Sequence, residues 1–123
     1  STNKVRYHHY YYMNSTYYHN QVTSLSDILT DWTNIVIVFD INIGVSMYIN
    51  GILDNSNLNT YPANISDLDI NRGPQYIGQY RTSSSTGPYY TFEGKIANLK
   101  YYSKALSSDE ILQNYNAMKG RYI

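Results

Sequence analysis

Cysteine is absent from this chain of 123 residues, which also has one tryptophan, two phenylalanines and three prolines. Without cysteine there is no disulfide framework, no thiolate zinc site and no thiol nucleophile. Disulfides are optional outside the cell, so an extracellular or virion location stays open. An excess of one charge is lacking too: nine Lys and Arg balance nine Asp and Glu. That balance excludes the basic footprint of a protein that binds a phosphate backbone, so no nucleic-acid partner is expected. No apolar run approaches the roughly 18 residues of a membrane span, so no membrane insertion is expected. No basic-then-apolar leader is visible. The chain opens Ser1-Thr2 without Met, which reads either as a removed initiator or as part of a longer chain.

In place of those residues stand sixteen Tyr, fourteen Asn and thirteen Ser. The length suits one domain that buries about two-thirds of its unfolded surface. Tyr, Ile, Val and Thr are strand formers. Residues 4–12 and 17–23 read as strands joined by a turn at Asn14-Ser15. Residues 24–31 (SLSDILTD) read as a short helical turn capped by Ser26 or Ser24. Trp32 to Ile41 reads as a strand apolar on both faces, with Ile35, Ile37 and Phe39 on one and Val36 and Val38 on the other. Val45, Met47 and Ile49 alternate ahead of Asn50-Gly51, the strongest short-range hairpin signal. Residues 54–64 read as loop, 65–70 and 75–80 as strands, and 81–88 (RTSSSTGP) as a polar loop. Residues 89–102 read as a long strand whose parity switch predicts a bulge between Ile96 and Leu99. Ser107 and Glu110 form a capping box for a terminal helix. Ile111, Leu112, Tyr115 and Met118 make its apolar stripe. The pattern is an all-β sandwich with a short C-terminal helix.

Asp31-Trp32-Thr33 leading into IVIVFD, then MYINGIL, QYIGQY and FEGKIANLKYYSKALSSDEILQNY, resemble the laminin-G-like domain of the concanavalin A-like lectin/glucanase jelly rolls. Five family elements occur in order over residues 31–115: a Trp-Thr strand, a Tyr-x-Asn-Gly hairpin, an Ile-Gly strand, Phe-x-Gly-x-Ile and an Ala-Leu-Ser-x-x-Glu-Ile helix. The ending EILQNYNAMKGRYI is similar to laminin-G-like modules of bacteriophage and large DNA-virus structural proteins. The resemblance implies an antiparallel jelly roll over residues 1–123. Family domains usually run longer, so this is either a trimmed member or one whose missing strands come from another part of a longer chain. Calcium near a sandwich rim is a family habit; no ligands for it map onto numbered residues here, and no other cofactor is implied.

A glucanase of that fold takes its two carboxylates from a Glu-x-Asp-x-x-Glu strand. Here there are only Glu93 and Glu110. The capping box accounts for Glu110, and Glu93 has no partner at alternate spacing, so no catalytic residue is expected. Asp67 and Asp69 share a strand face and read either as cation ligands or as a solvated edge. His8, His9 and His19 read either as ligands on paired strands or as surface residues. Sequons at Asn14 and Asn64 are no more frequent than chance supplies in this composition.

Tyrosine, Asn and Ser together suit a recognition surface. The loop region around Tyr80, Arg81, Tyr89 and Tyr90 is the expected ligand patch, where sugars stack on rings. Tyr7, Tyr10, Tyr11, Tyr12, Tyr17 and Tyr18 are too many for one core, and they are the expected subunit contact. The leading expectation is a non-enzymatic virion structural module, a capsid-decoration, fibre or appendage piece, whose partners are other virion subunits, copies of itself and surface glycan. The alternative is an adhesion module for cell-surface polysaccharide. A polysaccharide-cleaving enzyme is the third and least favoured reading.

Overall fold

The computed structural model describes residues 3–13, 15–28, 31–40, 42–58, 76–80 and 90–122. The chain divides into two compact units, residues 1–70 with 102–123 and residues 71–101. Every sheet among the described residues is antiparallel.

In the first unit, β1 (Arg6–Met13) and β2 (Thr16–Thr23) form a hairpin in which Tyr7 pairs with Val22 and Tyr10 with His19. Ser15 takes a positive φ of 62° in the turn. A meander follows: β3 (Ile35–Asp40), β4 (Gly44–Ile49) and β5 (Ile52–Asn57), with β4 in the middle. Asn50 and Gly51 have φ of 51° and 82°, as a two-residue type I′ turn demands. Asn50 also serves β3: its Oδ1 accepts from Asn34 N–H at 3.0 Å, and its own N–H donates to Asn34 O at 2.9 Å.

Val22, Val45 and Met47 are the buried centre, ringed by Val5, Tyr7, Ile37, Phe39 and Ile49. Burying such aliphatic side chains is worth about 1.5–3 kcal/mol each. The centre draws on both the β1–β2 hairpin and the meander, and polar side chains reinforce the junction. Asn55 Nδ2 donates to Thr23 O at 2.8 Å and Asn57 Nδ2 donates to Gln21 O at 3.0 Å. Amides of β5 thus meet backbone carbonyls of β2 that the hairpin itself does not use, which suits the demand that such groups be paired.

The helix α1 (Ser108–Met118) starts with the expected capping box and buries Ile111. It packs on the β4–β5 turn, where a Cβ on Gly51 would come within 2.9 Å of Tyr115 and 3.1 Å of Leu112. Glycine is therefore needed there twice, for its φ and for its lack of bulk. Lys119–Arg121 continues as a 3₁₀ turn. No helix among the described residues is long and apolar enough to cross a membrane.

In the second unit, β6 (Gln79–Tyr80) pairs with β7 (Tyr90–Thr91). Phe92 N–H adds a bond to Gly78 O at 2.7 Å.

Three expectations need correction. Residues 24–28 are not helical: Ser24 is spent on the β1 edge, donating its N–H to Val5 O at 2.9 Å while its Oγ accepts from Val5 N–H at 3.0 Å. The expected loop at 54–64 is strand through Asn57, because the polar residues of β5 find partners on β2 and on the 24–26 segment. Of the expected long strand at 89–102 only Tyr90–Thr91 is strand among the described residues, and residues 93–102 are exposed and pair with no strand among those described. A strand pattern expresses a capacity, and an edge to pair with must be supplied separately. The expected strand at 65–70 lies outside the described residues.

Candidate contact surface

Strand alternation divides the β1–β2 hairpin into two faces. Val5 and Tyr7 point to the core with Val22, and half-buried His9 lies against Phe39 with ring centroids 4.7 Å apart. Burial holds the His9 imidazole below its ordinary pKa. Tyr7, expected at a subunit contact, is instead a core-side residue whose ring meets His9 edge-on at 6.4 Å and 82°.

The other face carries Arg6, His8, Tyr10, His19 and Gln21. Register sets Tyr10 opposite His19 and His8 opposite Gln21. The Tyr10 ring lies parallel to His19, with centroids 4.2 Å apart and an angle of 4°. His8 continues the plane: it is 3° from His19 with centroids 5.1 Å apart, and His8 Nδ1 and His19 Nε2 share a hydrogen bond of 2.9 Å. Burial, then the charges of His19 and Arg6, lower the His8 pKa. Tyr10 remains 53% exposed. The result is a flat, ring-built patch flanked by Arg6. Tyr11 pairs with Tyr18, and Tyr12 with Tyr17, further along the same hairpin.

Of the expected ligand patch, Tyr80 and Tyr90 are brought directly opposite each other across β6 and β7. Arg81 and Tyr89 lie outside the described residues.

A second polar cluster fixes the 24–28 segment. A bulge in β5 leaves Asp54 without a partner residue on β4, since Met47 pairs with Asn55 and Tyr48 with Leu53. Bulges re-aim side chains, and the Asp54 carboxylate accepts from Leu25 N–H at 2.6 Å and Ser26 N–H at 3.0 Å. Desolvation pushes the Asp54 pKa up, but the hydrogen bonds from Ser26 and Leu25 and the charge of Lys4 outweigh it and hold the carboxyl below its ordinary value. Lys4 bonds Leu25 O and pairs with Asp27 at 2.9 Å. Sequence reasoning missed this cluster because Asp54 lies 28 and 29 residues from the N–H groups it meets.

Calcium takes six to eight oxygen ligands, several of them carboxylates. Asp27 and Asp54 are already met by an ammonium and by amide N–H groups, and among the described residues no three His, Cys, Asp or Glu gather. These residues do not fit a calcium site, and Asp67 and Asp69 lie outside the described residues. Glu110 is occupied by the helix start: it accepts from Ser107 N–H at 2.9 Å and from Lys104 at 2.6 Å. The Lys104 bond, then that of Ser107, holds its pKa below the ordinary value.

Antiparallel sheets with a short C-terminal helix define a β-class module, here with a ring-bearing face on its β1–β2 hairpin. The chain belongs to the concanavalin A-like lectin/glucanases superfamily, whose laminin-G-type family model matches residues 2–112. No curated protein is significantly similar to it in sequence. Among solved structures it is similar to an S-layer domain-containing protein from Clostridium thermocellum, at 27% identity with a TM-score of 0.56. The likeness covers 91% of this chain and 51% of that one, so this chain spans about half of that structure's length.

Proposed function

We propose that the chain is a non-enzymatic module of an extracellular surface assembly, making its contacts through the outward face of the β1–β2 hairpin. The observation that carries this reading is the ring patch. Tyr10, His19 and His8 are held parallel on an exposed sheet face, and Tyr10 stays 53% exposed although apolar side chains elsewhere form the core. Rigid aromatic rings give contact area at little cost in side-chain entropy, which is why tyrosine is enriched where proteins meet. The S-layer protein to which the chain is similar supports a cell-surface layer as the setting, with a virion coat the other assembly of this kind. Partners would be further copies of the chain or neighbouring subunits.

The absence of catalysis is argued from Glu110. Both its carboxylate oxygens are committed, to Ser107 and to Lys104, which leaves Glu93 as the one other glutamate in the chain. Incubation with a polysaccharide panel should release no reducing ends. Any release would overturn this, and cleavage that survives Glu93→Gln would also rule out Glu93 as its site.

A second reading is glycan binding, supported by the lectin-type superfamily and by the pairing of Tyr80 with Tyr90. On a glycan array, that reading expects binding that Tyr90→Ala and Tyr89→Ala abolish. An array on which the folded chain binds nothing removes glycan binding and leaves subunit contact.

A further inference from the structure

We propose that His8 and His19 form an open, two-imidazole site for a divalent late transition-metal ion of the zinc or copper class. The inference does not depend on the surface-assembly reading. It starts from geometry: His8 Nδ1 and His19 Nε2 face each other at 2.9 Å across neighbouring strands. Two zinc–nitrogen bonds of about 2.0–2.1 Å at a tetrahedral angle need nitrogens about 3.3 Å apart. The rings are coplanar with centroids 5.1 Å apart, so their facing nitrogens point at each other; chelation opens them by a few tenths of an ångström and turns each ring by about 35° toward the metal.

The surroundings hold the pair in place. Tyr10 stacks on His19 at 4.2 Å, and the diagonal register of β1 and β2 fixes both histidines on one face, so little side-chain entropy is lost on chelation. Proton accounting is simple. The hydrogen shared in the His8–His19 bond moves to the far nitrogen of its own ring, and the metal takes its place without net proton release. Imidazole pairs suit zinc, copper and nickel, whereas calcium and magnesium demand oxygen. Among the described residues no third His, Cys, Asp or Glu joins the pair, so water fills the remaining positions and the site stays open to a donor from outside. Arg6, on the same face, opposes the metal's charge and sets its affinity below that of a closed three- or four-ligand site.

The test is a titration of the chain with Zn²⁺ alone in chelator-free buffer, followed by the imidazole ring protons in NMR and by calorimetry. One ion per chain should bind, moving the His8 and His19 signals while leaving His9 in place. His8→Gln and His19→Gln should each weaken binding by about tenfold or more, with the Val45 and Met47 methyl signals confirming the fold. Cu²⁺ should bind more tightly than Zn²⁺. Two results would overturn the proposal. One is wild-type ring signals that stay unmoved under a large excess of Zn²⁺, which needs no variant to fold. The other is binding undiminished in the His8→Gln/His19→Gln double variant.

Discussion

Asp54 is turned out of the β5 ladder by a bulge, and its carboxylate then serves two backbone N–H groups of a segment 28 and 29 residues earlier in the chain. Because its pKa in the folded state lies below the ordinary carboxyl value, it contributes stability that is full above the unfolded pKa. That contribution is lost as pH falls through the folded one. Asp54→Asn should therefore lower stability near neutrality and flatten its decline below about pH 4; urea unfolding at several pH values measures both. Unchanged acid dependence in the variant would contradict the role. Gly51 is the other position where one atom decides. Gly51→Ala strains a φ of +82° and drives Cβ to within 2.9 Å of Tyr115, a loss of about 1–3 kcal/mol. The turn at Asn50-Gly51 was legible in the sequence because its signal is local. The Asp54 lock was not, because nothing local marks a bulge.

At the scale of elements, what could be read from the chain was whatever rests on neighbours in sequence. The capping box of Ser107 and Glu110 forms as expected, and Ser107→Ala should cost about 1 kcal/mol, read as lost helical circular dichroism on mild heating. The β1–β2 hairpin, β3, β4 and the Asn50-Gly51 turn stand where strand-former runs and turn residues placed them, while β5 runs through Asn57 into a stretch expected as loop. Two further elements escaped. Residues 24–26 have the composition of a helix start, yet Ser24 bonds the backbone of Val5, just ahead of β1, instead. Residues 92–102 have the composition of a strand, yet beyond Phe92 they find no edge among the described residues. In both cases side-chain pattern speaks to propensity, and the outcome turns on a distant partner. The candidate site divides likewise. The excess of tyrosine at 7–18 was visible, but the face each ring takes follows from register, which sends Tyr7 to the core and Tyr10 outward.

For the molecule as a whole, the buried apolar side chains among the described residues are Val22, Val45, Met47 and Ile111. Met47→Ala should cost about 2–5 kcal/mol, a large fraction of what a domain of this size holds. Its surface is correspondingly rich in rings that the core does not use, and the central claim is that the outward face of the hairpin makes subunit contacts. Sedimentation velocity over a wide concentration range tests it most directly. The account predicts association that rises with concentration and is abolished by Tyr10→Ser, with the core methyl signals unchanged. A wild-type chain that stays monomeric at every concentration, or a Tyr10→Ser variant that associates as well as wild type, would contradict it.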